Sequence, residues 1–172
     1  MIVNISKEDV SKLLILSRPS INFSKLFFGF NGFIAEIGVQ NGVHAFEIMN
    51  DLRPSTLYLI DIMKDWEKTK DNLKDFKNIN FISKTSVEAS KDFPDNFFDL
   101  VYIDAEHSYD AVRQDIETWI PKVKECGVIA GHDWKLEEVK DAVRSLRGDA
   151  FYYMGDDWWF VKNNDFKYYF IG

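Results

Sequence analysis

The sequence has little of several features that would narrow its class quickly. It contains a single cysteine, Cys126, which excludes an intrachain disulfide and favours a reducing, cytoplasmic setting. No uninterrupted apolar run approaches the ~20 residues that a membrane span requires, so we expect no membrane partner. Charged residues at 7–9 interrupt the first apolar stretch, and we therefore expect no signal peptide.

Positive charge is also in short supply. The chain has 21 Lys and Arg residues against 28 Asp and Glu residues, which gives a net charge of −7. A general nucleic-acid binder needs a basic patch to meet phosphates, so we expect no nucleic-acid partner. With 172 residues, of which 46% are hydrophobic, the chain is long enough to bury one core and short for two domains.

Short apolar runs alternate with amphipathic stretches along the chain. Predicted strands cover 33–37, 56–61, 79–83, 98–103 and 127–131, and predicted helices cover 43–52, 66–76, 86–91, 109–123 and 136–146. Two final strands, 151–154 and 158–162, are joined by a link short enough for a hairpin. This order predicts an α/β fold with a Rossmann-like doubly wound sheet of about seven strands, mostly parallel, with an antiparallel C-terminal hairpin strand.

The same pattern gives a single domain overall, whose sheet-forming part covers residues 33–172. Residues 1–32 are predicted to form an N-terminal helical segment, because Ser6-Lys7-Glu8-Asp9 has the form of a helix start and apolar residues follow it at helical spacing.

In such folds ligands bind beyond the carboxyl ends of the strands. The first predicted strand ends near Glu36, and Gly38 and Gly42 would let the following loop approach a ligand closely, although two turn glycines without a ligand would look the same. A strand-end carboxylate repels a pyrophosphate and attracts a cation. The second strand ends in Asp61, about 20 positions further on, where an acid can bind both ribose hydroxyls. Together these residues predict a nucleoside site.

Two further strand ends carry carboxylates and imidazoles. The fourth strand is followed by Asp104 and His107, and the fifth by His132 and Asp133. The group fits a general base, or a divalent-metal site built from Asp oxygens and His nitrogen, or a polar network that only shapes the loops. After the third strand, Ser86 suits either a hydrogen bond to a base edge or a helix cap.

The motifs carry a family resemblance. Ala-Glu-Ile-Gly-Val-Gln-Asn-Gly, Tyr-Leu-Ile-Asp, Asp-Leu-Val-Tyr-Ile-Asp-Ala-Glu-His-Ser-Tyr and Gly-Val-Ile-Ala-Gly-His-Asp-Trp resemble the class I S-adenosylmethionine-dependent methyltransferases. Within that class the chain is similar to the small O-methyltransferases related to macrocin O-methyltransferase and, more distantly, to catechol O-methyltransferase. The resemblance covers residues 33–163.

The resemblance implies S-adenosylmethionine as the cofactor and assigns residues to it. Glu36, Gly38 and Gly42 would form the cofactor loop, and His44 would stand at the position that binds the cofactor's carboxylate. Asp61 would hold the ribose, and Ile62 would pack on the adenine. Thr85 and Ser86 would lie at the adenine edge, and Asp104 would also contact the cofactor.

The resemblance also implies a Mg²⁺ site, because Asp104 and Asp133 fall on metal-binding aspartates and His132 falls on a glutamate ligand. Trp134 replaces an asparagine ligand of that site. His107 falls on a catalytic lysine.

The function expected from this resemblance is methylation of a small-molecule hydroxyl. Either His107 would act as the base, with Asp104 orienting its imidazole, or a metal ion would assist. Two alternatives are aminopropyl transfer from a decarboxylated cofactor, and a non-catalytic partner subunit with a methyltransferase fold. The acceptor site would be open or closed by another subunit, because only about thirty residues precede the first predicted strand. The aromatic C-terminus, with Trp158, Trp159 and residues 168–170, predicts a homodimer through the C-terminal edge, with one of the two Trp side chains packed inward and the other available to the partner.

Overall fold

A computed structural model of the chain describes residues 2–5, 18–28, 31–162 and 167–170. The strands in these ranges are β1 Ile2–Ile5, β2 Phe33–Ile37, β3 Thr56–Asp61, β4 Ile79–Ser83, β5 Phe98–Ile103, β6 Val123–Gly131, β7 Tyr152–Met154, β8 Asp157–Val161 and β9 Lys167–Phe170. The helices are α1 Pro19–Phe28, α2 Val43–Leu52, α3 Glu67–Asn72, α4 Ser86–Ser90, α5 Tyr109–Trp119 and α6 Glu137–Arg147, with a 3₁₀ turn over Ile120–Lys122. None of these helices is long and apolar enough to cross a lipid bilayer.

Seven of the strands form one sheet in the order β4-β3-β2-β5-β6-β8-β7. The first five run parallel to one another, while β8 is antiparallel to both β6 and β7. This confirms the predicted mostly parallel, doubly wound sheet with antiparallel C-terminal strands. The strand order reverses between β2 and β5, and such a switch point opens a crevice at the carboxyl ends of these two strands.

Alternating residues along β2 supply two separate cores. Ile34 is buried under the face covered by α1 and α2, while Ala35 and Ile37 are buried under the face covered by α5 and α6. Complete burial of a side chain such as Ile34 stabilises the fold by about 1.5–3 kcal/mol. The same alternation turns Glu36 toward the α1 and α2 face, so a carboxylate lies next to an apolar core.

The C-terminal hairpin turns at Gly155 and Asp156, where Gly155 has a φ of 63°. Trp158 and Trp159 are both buried, the first in the α5 and α6 core and the second in the α1 and α2 core. The expectation that one of them is exposed for a partner was wrong, because strand alternation sends one into each core. The side chains of residues 168–170 lie outside the described part, and the homodimer stays a prediction.

The 1–32 segment contains a strand as well as a helix. Strand β1 pairs in parallel with β9, from Ile2 opposite Lys167 to Ile5 opposite Phe170. The predicted helix start at 6–9 lies outside the described residues. Helix α1 begins at Pro19, a residue suited to the first helical position because it has no N–H to satisfy there.

Most predicted strand bounds agree with the structure, and the main difference lies between α5 and β6. The α5 helix ends at Trp119, earlier than predicted, because Pro121 cannot continue an α-helix. Strand β6 begins at Val123, before the predicted start at 127, and includes Cys126, which lies between the predicted helix and the predicted strand. Cys126 has a φ of 64°, and the pairing with β5 is irregular beside it, as in a β-bulge.

Candidate cofactor and active site

The carboxyl ends of β2, β3, β5 and β6 meet at one edge of the sheet. Backbone hydrogen bonds join them beyond the last paired residues: Gly38 donates to Ile60, Asp104 donates to Ile37, and His132 donates to Ile103. The strand ends that the sequence singled out are therefore brought together by the fold.

The loop after β2 needs its glycines. Gly38 has a φ of 84°, and a Cβ at this position would collide with the backbone carbonyl oxygen of Asp104. Gly42 has a φ of 75° and is the N-cap residue of α2. Both conformations lie in the left-handed region that glycine adopts without steric cost. The glycines therefore let the loop pass close to the chain at the end of β5. The sequence predicted a close approach to a ligand, and not this contact with the protein backbone.

Asp61 holds this loop in place. Its Oδ2 accepts hydrogen bonds from the backbone N–H of Val39 at 2.8 Å and of Gln40 at 3.3 Å, and its Oδ1 accepts one from Met63 at 3.0 Å. An ionised carboxylate has about four acceptor positions, so this arrangement leaves about one for a ligand hydroxyl. The next residue, Ile62, is 73% exposed, and its apolar side chain is available for contact with a flat ring.

Glu36 and His44 form a buried pair beneath the loop. Glu36 is 1% exposed and His44 is 6% exposed, and Oε1 of Glu36 lies 3.2 Å from Nδ1 of His44. Among the described residues, Oε2 of Glu36 and Nε2 of His44 have no hydrogen-bond partner. A buried polar atom without a partner is costly, and in native proteins it commonly marks a site where another group binds.

The protonation of this pair follows from its burial. Burial lowers the pKa of His44 to about 4, and the nearby positive charge of Arg18 acts in the same direction. Burial raises the pKa of Glu36 well above its ordinary value, and the negative charge of Asp104 adds to this. His44 is therefore an uncharged imidazole at neutral pH, which is a poor partner for the carboxylate it was expected to bind.

Arg18 is a site residue that the sequence reasoning missed. Its Nη1 donates a hydrogen bond to the hydroxyl of Tyr102 at 2.9 Å. The same guanidinium lies 3.5 Å from Asp157, 3.8 Å from Glu47 and 3.9 Å from Asp104. It stands immediately before Pro19, and that helix-start signal was the only one in the sequence that could have drawn attention to it.

Asp157 ties α1 to the sheet. This carboxylate is 1% exposed and accepts hydrogen bonds from the backbone N–H of Ser20 at 3.1 Å, from the Ser20 hydroxyl at 2.6 Å and from the Tyr102 hydroxyl at 2.9 Å. Its contacts fix the start of α1, and with it Arg18, at the edge where the strands end. The start of α1 thus contacts the edge at which the acceptor site was expected to be open or closed by another subunit.

Thr85 and Ser86 are both engaged in local structure. Thr85, and not Ser86, is the N-cap of α4, where its hydroxyl accepts from the Glu88 N–H and the Glu88 carboxylate accepts from the Thr85 N–H. The Ser86 hydroxyl accepts a hydrogen bond from Trp119 Nε1 at 2.8 Å. If either side chain also contacts an adenine, its hydroxyl must bind the adenine while it keeps the hydrogen bond described here.

The acid and imidazole residues that follow β5 and β6 lie near one another, and we call them the Asp–His cluster: Asp104, His107, His132 and Asp133. The side chains that could share one ion fall into two overlapping groups, Asp104 with His107 and Asp133, and His132 with Asp133 and Asp156. Nε2 of His107 lies 2.7 Å from Asp133 Oδ2 and 3.7 Å from Asp104 Oδ1. Nδ1 of His132 lies 3.3 Å from the same Asp133 oxygen and 3.9 Å from the same Asp104 oxygen. Asp133 has a φ of 59°, an uncommon backbone conformation that directs it toward the two imidazoles.

Trp134 follows the cluster but does not join it. The side chain is 5% exposed and packs against Phe151 and Tyr153, with the Arg144 guanidinium over its ring. Trp134, which stands where the resemblance places an asparagine metal ligand, is therefore a residue of the hydrophobic core.

The part of the chain that carries these strand ends matches a known protein family. The family model described as the methyltransferase domain matches residues 35–134, which is more than half of the 172 residues and includes every strand end described above. The chain belongs to this family. Its fold is that of the class I S-adenosylmethionine-dependent methyltransferases, as predicted.

Solved structures agree on the fold across different acceptors. A Streptococcus mutans protein, named as a methyltransferase and solved with S-adenosylhomocysteine (SAH), has a TM-score of 0.68 at 14% identity and covers 86% of this chain and 99% of its own. The N-methyltransferase NodS of Bradyrhizobium japonicum, also solved with SAH, has a TM-score of 0.60 at 13% identity, covering 88% and 94%. The precorrin-6Y C5,15-methyltransferase of Geobacter metallireducens has a TM-score of 0.61 at 22% identity, covering 75% and 68%.

A sequence relative adds little about function. The uncharacterised protein y4gI of Sinorhizobium fredii is 39% identical over 57 residues, which is 33% of this chain. The match spans only 6% of that protein's length. The names of the structural relatives above point to nitrogen and carbon acceptors, so the narrower resemblance to O-methyltransferases stays a prediction.

Proposed function

We propose that this methyltransferase-family chain binds S-adenosylmethionine at the carboxyl ends of β2 and β3 and transfers its methyl group to a small molecule bound beside β5 and β6. The observation that carries the proposal is the Glu36 carboxylate, which is buried at the switch point of the sheet with one oxygen lacking a partner among the described residues. A cationic ligand group satisfies this oxygen and favours its ionised form.

The charges near Glu36 suit the methionyl end of S-adenosylmethionine. That end carries an ammonium and a carboxylate close together, next to a positive sulfonium. The Glu36 and Asp104 carboxylates would face the positive groups, and Arg18 would face the carboxylate in place of the uncharged His44. Within the described residues, the Arg18 guanidinium donates one hydrogen bond, to the Tyr102 hydroxyl. A guanidinium has five N–H donors, so others are left for a ligand carboxylate.

The adenosine end would lie over β3. Asp61 keeps about one acceptor position for a ribose hydroxyl, and the exposed Ile62 side chain offers an apolar surface for the adenine. A dinucleotide fits this edge poorly, since its pyrophosphate would approach Glu36 and Asp61.

The Asp–His cluster would activate the acceptor. A hydroxyl is a weak nucleophile until its proton is removed, and an imidazole is well suited to remove it near neutral pH. His107 is 41% exposed, so an acceptor can reach it, and Asp104 and Asp133 lie beside it. These groups support O-methylation of a small-molecule hydroxyl, with either His107 as the base or a divalent ion held by the cluster.

Calorimetry with S-adenosylmethionine, SAH and NAD tests cofactor choice. We expect the first two to bind and NAD to bind at least about a hundredfold more weakly. Decarboxylated S-adenosylmethionine should also bind more weakly than the intact cofactor, and Arg18→Ala should remove that difference. Tight binding of NAD alone would end the proposal, and a preference for the decarboxylated cofactor would favour aminopropyl transfer.

Labelled-methyl transfer to a panel of hydroxylated and aminated small molecules tests the reaction. Turnover on a hydroxyl supports O-methylation, and turnover on amines alone would contradict it. Cofactor binding without turnover on any acceptor would favour the non-catalytic partner subunit.

A further inference from the structure

The Tyr102 hydroxyl and the Asp157 carboxylate lie next to the Arg18 guanidinium. We propose that both are positioning residues, which hold this guanidinium toward the carboxylate of the bound cofactor and so make the site prefer intact S-adenosylmethionine over its decarboxylated form. The inference rests on the proposed function and deepens it, because it names what selects the amino-acid end of the cofactor. Neither residue is among those that the resemblance assigns to the cofactor.

A chain of hydrogen bonds joins Arg18 to strands β5 and β8. Nη1 of Arg18 donates to the Tyr102 hydroxyl at 2.9 Å, and that hydroxyl donates to Oδ1 of Asp157 at 2.9 Å. Nη1 also lies 3.5 Å from the same Asp157 oxygen. Each of the two bonds has an ionised group at one end, and such bonds are roughly twice as strong as those between uncharged groups. The chain therefore restrains the guanidinium at Nη1.

Burial sets the direction of this chain. Tyr102 is completely buried, and burial raises the pKa of its hydroxyl well above the ordinary value, with the negative charge of Asp157 adding to this. The hydroxyl therefore keeps its proton at neutral pH. That proton goes to Asp157, because a guanidinium can only donate, and the Tyr102 oxygen is left to accept from Arg18.

The two oxygens of Asp157 have separate contacts. Oδ2 accepts from the backbone N–H and the hydroxyl of Ser20, at 3.1 and 2.6 Å, and these bonds anchor α1. Oδ1 accepts from Tyr102 and faces Arg18. Anchoring of the helix and orientation of the guanidinium can therefore be separated by mutation.

Another edge of the Arg18 guanidinium is left for a ligand. Its Nε and Nη2 atoms make no hydrogen bond within the described residues, and they lie 3.8 Å from Glu47 and 3.9 Å from Asp104. Two adjacent guanidinium nitrogens can bind one carboxylate through parallel hydrogen bonds. If Nη1 lost its contacts, the guanidinium would be free to turn and pair with Glu47 or Asp104, and it would no longer present this edge to the cofactor.

Calorimetry of the full chain with S-adenosylmethionine and its decarboxylated form tests the inference. Wild type should prefer the intact cofactor at least about tenfold, the scale of one charge-assisted hydrogen bond. Tyr102→Phe keeps the buried ring, and Asp157→Asn keeps the size of the side chain. Each should lower the preference about fivefold or more, and Tyr102→Phe should change the affinity for the decarboxylated form little.

Ser20→Ala is the matched control. It removes a hydrogen bond to Oδ2 of Asp157 and leaves the contacts of Oδ1 in place, so it should lower the thermal unfolding temperature and keep the wild-type preference. Circular dichroism shows which variants fold, and Tyr102→Phe decides the test if Asp157→Asn does not fold.

A double-mutant cycle shows whether the Tyr102 hydroxyl acts through Arg18. Arg18→Ala should itself remove the preference for the intact cofactor. If the hydroxyl only positions the guanidinium, adding Tyr102→Phe to Arg18→Ala should not change the ratio of the two affinities any further.

Three outcomes would overturn the inference. One is a Tyr102→Phe variant with the wild-type preference, and another is equal weakening of both cofactor forms, which would make the hydroxyl a purely structural group. The third is an effect of Tyr102→Phe on the preference that persists in the Arg18→Ala background, since the hydroxyl would then act on the cofactor itself. All three leave the proposed function standing, whereas a wild type that binds neither form would reject the proposed function and this inference with it.

Discussion

Replacing Glu36 by glutamine tests the central feature of the cofactor site. The side chain is 1% exposed, so a glutamine of nearly the same shape keeps the packing and removes only the ability to ionise. If the ionised carboxylate meets the cationic end of S-adenosylmethionine, Glu36→Gln removes a charge-assisted hydrogen bond of about 1.5–3 kcal/mol. The dissociation constant should then rise by about 10-fold to 150-fold.

The pH dependence of binding follows from the same residue. Burial raises the pKa of Glu36, and the negative charges of Asp104, Asp61 and Glu47 add to this, while Arg18 opposes it. The free protein therefore holds a proton on Glu36 to a higher pH than usual, and binding of a cation must displace it. Affinity should rise with pH, by at most about tenfold per unit, from about pH 4.5 up to the raised pKa, and level off above it.

Calorimetry in two buffers of different ionisation enthalpy measures the proton released on binding, and repetition across pH gives the affinity profile. Wild type should release up to one proton, while Glu36→Gln should release none and show a flatter profile. Glu47→Gln is a comparison variant: it removes a neighbouring carboxylate that adds to the raised pKa of Glu36, so it should shift the pH profile toward lower pH and keep the proton release. The reasoning fails if Glu36→Gln binds with wild-type affinity and the wild-type pH profile.

Three further predictions concern single side chains. Asp61→Ala should weaken S-adenosylmethionine binding by about 1.5–3 kcal/mol in calorimetry, and should also lower stability, because three backbone N–H groups lose their acceptor. His107→Ala should lower the rate of methyl transfer by about 10²–10⁴-fold in single-turnover assays while cofactor affinity changes little, and an unchanged rate would remove His107 from the mechanism. His44, whose pKa is lowered to about 4, should make the free energy of unfolding fall by roughly 3 kcal/mol as pH drops from 6.5 to below 4, and urea titrations of His44→Gln should lack that part of the loss.

Much of the fold follows from local pattern. The bounds of β2, β3, β4 and β5 agree with the predicted strands because each strand ends in, or directly before, a polar residue or glycine. Parallel strands between helices also leave few possible arrangements. The β6 start was mispredicted because a bulge at Cys126 hides its first residues from a period-two pattern. Proximity of the strand-end residues was predictable for the same reason as the sheet, since carboxyl ends of parallel strands share one edge.

The partners within the site were not predictable in this way. The hydrogen bonds between Ser20 and Asp157 join residues 137 positions apart, and nothing local in either segment indicates them. His44 lies at the start of a helix, where its sequence position gives no sign of burial, yet the fold buries it between Glu36 and Tyr102, with the two ring centroids 4.0 Å apart. Tertiary burial, and not sequence position, decides the charge of this imidazole, and for that reason the proposed function gives the carboxylate-binding role to Arg18.

Asp104 links the two halves of this edge. Its Oδ2 lies 3.9 Å from Arg18, on the side proposed for the cofactor, while its Oδ1 lies 3.7 Å from His107 and 3.9 Å from His132, on the side proposed for the acceptor. Asp104→Asn should therefore weaken S-adenosylmethionine binding in calorimetry and also lower the rate of methyl transfer at saturating cofactor, whereas Asp61→Ala should affect mainly the first and His107→Ala mainly the second. An Asp104→Asn variant with wild-type cofactor affinity, or with a wild-type rate at saturating cofactor, would show that Asp104 does not connect the two halves.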